Sequence, residues 1–107
     1  MLAWVYLAAA IATEVVGTVF LRFTDGFTRP LPSILVIATY AGSLWLTALA
    51  LKELEVSLAY AVWAGVGTAA VAVIGMAMLG ESVNALKLAS IALVIAGVVG
   101  LNLSGAN

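Results

Sequence analysis

Four apolar stretches, residues 2–21, 33–51, 58–79 and 86–103, set the strongest limit on what this chain can fold into. Each holds about 20 residues, and a helix of that length rises ~30 Å, the thickness of a bilayer's hydrocarbon core. Transmembrane β-strands are about half as long and alternate in polarity, which these stretches do not. The spacing predicts an all-α membrane protein with four transmembrane helices in a single domain over residues 1–107. Composition agrees: only 8% of residues are charged and the mean hydropathy is +1.25, whereas a soluble domain is roughly a quarter charged. A soluble domain this small needs a polar shell that these residues cannot supply. The opening residues lack a basic n-region and Glu14 would fall in the h-region of a signal peptide, so residue 1 onward is expected to be mature protein.

The polar punctuation is short. The first connection, residues 22–32, holds both prolines with Arg22, Asp25 and Arg29, and is expected to be a turn that cannot continue a helix. The second covers residues 52–57 and the third centres on 80–85. None is long enough for a domain outside the membrane, so any activity must lie within or between the helices. Arg22, Arg29 and Lys87 share one face against Lys52 on the other, with both termini. The positive-inside rule places the first face in the cytoplasm by a bias small enough to leave one inverted copy per dimer open.

Cysteine and histidine are both absent. Disulfides, thiolate metal sites and thiol nucleophiles are excluded, and so are the commonest general base and the usual pH switch. No metal site, no cofactor and no enzyme activity is expected. A net charge of -1 without a basic cluster argues against nucleic acid as a partner.

Of the charged residues, all but Glu14 lie in or beside the connections. Glu14 stands about eight residues, or ~12 Å, inside its span. A charge at that depth costs roughly 3 kcal/mol on insertion scales. No basic residue within the spans can pair with it, which leaves protonation, water in a cavity or a bound cation as compensation. Desolvation favours the neutral acid, and an acid that alternates between a proton and a cation is the minimal part of a proton-coupled exporter. The alternative is an acid hydrogen-bonded to a neighbouring helix with a packing role only. Leu7, Ala10, Ile11, Gly17 and Thr18 share the Glu14 face at offsets of three, four and seven; small residues there leave room for a ligand or for a close helix.

Trp4 and Tyr6 lie near a span end as interfacial anchors. Tyr40, Tyr60 and Trp63 lie deeper, where rings near a buried carboxylate suit an organic cation through cation–π attraction or simply fill a helix interface. Glu14 and Tyr40 sit ~12 Å from the first-loop face and Trp63 ~9 Å from the opposite face. Within one protomer those levels differ by ~9 Å, and in an antiparallel pair by ~3 Å, so a joint site favours inverted protomers. Gly65 and Gly67 interrupt the third span as a hinge or as a close contact. In the fourth span Ala89, Ser90, Ala96, Gly97 and Gly100 form a small-residue surface suited to helix pairing.

With Glu14, the loop Gly26-Phe27-Thr28-Arg29, Tyr40, Trp45, the run Ala59-Tyr60-Ala61-Val62-Trp63-Ala64-Gly65-Val66-Gly67, Gly97 and Asn102 together, the chain resembles the small multidrug resistance family along essentially its whole length. The resemblance implies a multi-pass protein of the bacterial inner membrane. It further implies an antiparallel homodimer that exchanges protons for cationic drugs at the two copies of Glu14. Tyr40, Tyr60 and Trp63 would line the pocket, Gly65 and Gly67 would form the third-helix kink, and Ser90 and Gly97 would belong to the dimer contact. The family's guanidinium-exporting branch typically has Trp three residues after the acid, where this chain has Gly17. That and Tyr40 point to quaternary ammonium and other lipophilic cations, with guanidinium export or a non-transporting interaction subunit as alternatives. Ala64, where Ser is common, bears on substrate range, and Ser90, where Gly is common, on pairing.

Overall fold

The computed structural model describes residues 2–104 and contains among them four α-helices and no strand: α1 (Leu2–Arg22), α2 (Pro30–Ala50), α3 (Val56–Met78) and α4 (Ala85–Leu103). All four are long and apolar enough to cross a bilayer. Ile34, Ile37, Leu44, Leu86, Leu93 and Leu103 are between 62% and 82% exposed. Water would penalise so much open apolar surface, whereas lipid solvates it and leaves the helices only their backbone groups to satisfy internally. The chain divides into two compact units, Met1–Leu54 and Glu55–Asn107, each a helical hairpin.

In the first unit the buried residues Ala3, Leu7, Ala10 and Gly17 of α1 recur with Glu14 at alternating steps of four and three, a single helical seam. Where α1 meets α2 the residues are small, which lets the two backbones come close. Ser43, only 3% exposed, donates its hydroxyl to the Ala10 carbonyl at 2.8 Å. Gly42 faces the Thr13 methyl, and Gly17 lies beneath Thr39 and Tyr40.

The turn between α1 and α2 is built on Thr24, which is 1% exposed. Its hydroxyl donates to the Leu21 carbonyl at 2.8 Å and accepts the Phe27 N–H at 3.1 Å. Its carbonyl accepts the N–H groups of Thr28 at 3.0 Å and Arg29 at 3.1 Å. These bonds hold Asp25, Gly26 and Phe27 in succession at φ of 51°, 69° and 66°, a region that Gly and Asp enter readily and a bulky residue such as Phe27 does not. Thr24→Val keeps the shape and removes both hydroxyl bonds, so it should lower stability by about 1–3 kcal/mol. Thermal unfolding in detergent checks this, with Thr24→Ser expected near the parent; a Thr24→Val protein as stable as the parent would contradict it.

α2 begins at Pro30, three residues before the expected start at 33, so both prolines fall inside the helix rather than in the turn. The physical reason is positional. The first-turn N–H groups of a helix have no intrahelical acceptor, so proline there loses nothing and its fixed φ favours the helix. The first N–H after the prolines, that of Ser33, donates to the Arg29 carbonyl at 3.2 Å, joined there by the Ser33 hydroxyl at 2.6 Å.

In the second unit α3 runs without a break through Gly65 and Gly67, both buried. A Cβ on Gly65 would collide with the Val98 side chain of α4 and come within 3.3 Å of Val94 Cγ1, so this glycine serves the close approach of the two helices. Valine is stiff at χ1 and cannot swing aside. Gly65→Ala is therefore expected to cost about 1–3 kcal/mol, read as a lower midpoint of thermal unfolding; an unchanged midpoint would show that the helices separate freely.

α3 ends at Met78, and just beyond it Gly80, with a φ of +71°, reverses the chain. Glu81 then folds back, its N–H donating to the Gly75 carbonyl at 3.0 Å and its carboxylate occupying the space that a side chain on Gly75 would need. α4 starts on the Asn84 cap, whose side chain accepts the Lys87 N–H at 2.9 Å. The Lys87 ammonium reaches the Ser82 carbonyl at 3.1 Å and Glu81 Oε1 at 3.8 Å. No residue of α4 is buried; Ser90 and Gly97 are exposed, with open space over Gly97.

Candidate functional site

Glu14 is half-buried near the middle of α1. Thr18 stands one turn further along the same helix, and its hydroxyl donates to Glu14 Oε1 at 2.8 Å. The same Thr18 oxygen lies 2.8 Å from the Tyr40 hydroxyl of α2. The hairpin thus joins three residues picked out in the sequence, Glu14, Thr18 and Tyr40, into one hydrogen-bonded chain. Gly17 makes it possible. A Cβ there would stand 2.8 Å from Tyr40 Cε1 and closer still to Thr39 Oγ1, so the Tyr40 ring reaches Thr18 only over a bare backbone.

A carboxylate has about four acceptor positions, and Thr18 supplies a neutral donor to one of them. The nearest basic residue along α1 is Arg22, at the end of the helix, about 12 Å further along its axis.

Leu7, Ala10 and Ile11, the other residues of the Glu14 face, are 1%, 0% and 7% exposed. Ala10 has a fixed role as acceptor for Ser43. Tyr60 and Trp63 belong to the second unit, where their rings lie 5.5 Å apart at an interplanar angle of 32°. Tyr60 is 65% exposed, while the Trp63 indole N–H is buried without a hydrogen-bond partner among the described residues. An N–H left unpaired away from water is costly enough to need an explanation. Among the described residues no group of three acids, histidines or cysteines could hold a metal ion.

Two hydroxyls carry more of this site than their sequence positions announce. Inside apolar helices Ser and Thr usually bond back to their own backbone, as Thr13 does to the Ala9 carbonyl, Thr39 to Leu35 and Thr47 to Ser43. Ser43 and Thr18 instead reach across to the other helix. The signal available in the sequence was a hydroxyl on the same face as a buried acid; it marked Thr18 and not Ser43.

Comparison with known proteins bears on the whole hairpin pair. Residues 2–94 match the family of Small Multidrug Resistance proteins. An uncharacterized membrane protein of Bacillus subtilis, YvaE, is 49% identical over 94% of this chain and 84% of its own length. The guanidinium exporter of Escherichia coli (strain K12) is 44% identical over 96% of this chain and 98% of its own. A nicotine metabolites export pump subunit of Paenarthrobacter nicotinovorans, NepB, is 46% identical over 95% of this chain and 61% of its own.

Proposed function

The chain belongs to the small multidrug resistance family of bacterial membrane transporters, and from that premise we propose that it exports organic cations in exchange for protons, with guanidinium compounds as the leading substrate class. It is a multi-pass protein of the bacterial inner membrane. The observation that carries the exchange is Glu14, an acid inside a membrane span whose hydrogen-bond partner, Thr18, is neutral. The guanidinium class is supported by relatives named guanidinium exporters that align with this chain over nearly their entire length.

The working unit in this reading is an antiparallel homodimer in which the two copies of Glu14 bind either protons or one cation. Opposite occupancy at a shared acid couples the two flows: the cation leaves when protons arrive, and the protons leave when the site faces the side of low proton concentration. The planar guanidinium group suits a carboxylate, because its fork of N–H donors can span both oxygens.

A second reading, export of quaternary ammonium and other lipophilic cations, is favoured by residue 17. The guanidinium-exporting branch typically places Trp here, whereas in this chain the volume above Gly17 is filled by Tyr40.

Purified protein in liposomes with an imposed proton gradient separates the two. Guanidinium should accumulate against its own gradient and stop doing so when the proton gradient is collapsed. Movement of tetraphenylphosphonium without guanidinium would move the assignment to the second reading, and movement of neither would contradict both.

A further inference from the structure

The Tyr40–Thr18–Glu14 chain has a direction that its own chemistry fixes. A hydroxyl has one proton to give. Thr18 gives its proton to Glu14 Oε1 at 2.8 Å, so the 2.8 Å contact between Thr18 and Tyr40 is made by the Tyr40 proton. With Glu14 ionised, every proton in the chain points toward the carboxylate, and the phenol oxygen keeps its lone pairs for other partners.

Protonating Glu14 on Oε1 reverses the chain. The acid then donates to Thr18, Thr18 turns its proton to the Tyr40 oxygen, and the Tyr40 proton is released to point elsewhere. No bond between heavy atoms changes; only the sense of two hydrogen bonds does. Thr18 is suited to this because its hydroxyl, unlike those of Thr13, Thr39 and Thr47, is not spent on its own helix backbone. Within the first unit the other groups able to ionise on α1 are Tyr6 and Arg22, each eight residues from Glu14, and α2 carries Tyr40 alone.

We infer that Thr18 is a positioning residue that ties the direction of the Tyr40 hydroxyl to the charge on Glu14, so that the ionised site offers a second acceptor to cations bearing N–H groups. A guanidinium or protonated amine can bond the carboxylate with one N–H and the Tyr40 oxygen with another. A quaternary ammonium has no N–H and gains nothing from the second acceptor. The relay thus gives the first unit a means of preferring N–H-bearing cations even though Gly17 stands where the guanidinium branch typically has Trp. This inference rests on the proposed exchange of protons and cations at Glu14.

The test follows Tyr40 directly. In full-length protein labelled at Tyr Cζ and Glu Cδ, the Tyr40 carbon signal should move through the same pH transition as the Glu14 carboxyl signal. In Thr18→Val, which keeps the shape and removes the hydroxyl, Glu14 should still titrate while Tyr40 stays still; Thr18→Ser should restore the link. At a pH where Glu14 is ionised, Thr18→Val should weaken guanidinium binding relative to tetraethylammonium by about tenfold, the loss of one hydrogen bond in this setting, and Thr18→Ser should recover it. A Tyr40 signal that still follows Glu14 in Thr18→Val, or equal losses for both cations, would overturn the relay. Failure of transport with the coupled titration intact would remove the proposed function and leave the relay standing. Intact transport with Tyr40 indifferent to Glu14 would do the reverse.

Discussion

Glu14→Gln is expected to lower proton-driven cation transport by on the order of a hundredfold or more while leaving the protein folded. The substitution preserves shape and the acceptor for the Thr18 hydroxyl, since an amide oxygen can take the 2.8 Å bond that Glu14 Oε1 takes now. What it removes is the charge. A carboxylate–cation contact shielded from water is worth at least ~3 kcal/mol, and each 1.4 kcal/mol is about a factor of ten in affinity. The amide also binds no proton, so any residual cation flux should run down its own gradient and ignore the pH difference. Radiolabelled guanidinium uptake into liposomes, with and without a proton gradient, reads both effects. A Glu14→Gln protein that still concentrated the cation would place the coupling elsewhere.

Gly17→Ala is expected to have the second-largest effect, through geometry rather than charge. The added methyl must share space with Thr39 Oγ1 and with the Tyr40 ring, whose Cε1 would be only 2.8 Å away. Both neighbours are held on α2, so the helices must part or Tyr40 must swing off. Overpacking of this kind costs about 1–3 kcal/mol. If Tyr40 moves, its 2.8 Å contact with Thr18 breaks and Glu14 loses the far end of its hydrogen-bond chain. The expected signature is a lower thermal midpoint together with weakened cation binding. Thr39→Ala in the same protein should recover part of the stability, because it removes the nearest obstacle, and the shortfall from additivity measures the contact. Full stability of Gly17→Ala alone would contradict the close approach.

The four helices were legible in the sequence because length and hydropathy alone decide what crosses a bilayer. The start of α2 was not. Pro30 and Pro32 read as breakers, and whether a proline ends or opens a helix depends on where the unpaired N–H groups fall, which hydropathy does not reveal. Glu14 was legible as the charge with no place in its span, and Thr18 and Gly17 as residues on its face. What could not be read was the purpose of Gly17. A glycine beside a buried acid fits either a ligand or a helix, and only the position of Tyr40 above it shows that a side chain of this same chain occupies the room. The reading of residue 17 as a mark of lipophilic-cation export now stands beside relatives named guanidinium exporters. One residue is a weak guide to substrate when the volume it controls is filled from a neighbouring helix. Ser43 was passed over because a lone serine in an apolar stretch most often bonds back to its own turn, and here it fastens α2 to the Ala10 carbonyl instead.

The most direct measurement is proton release on cation binding. Guanidinium should be added to detergent-solubilised protein in weakly buffered solution at a pH where Glu14 is partly protonated, with Glu14→Gln alongside. If a proton and a cation compete for Glu14, binding must expel protons from the parent protein, the yield must fall as the pH is raised and the acid empties beforehand, and the Gln variant must release none. Guanidinium binding to the parent protein without any proton release, or equal release from the Glu14→Gln protein, would contradict competition at this residue.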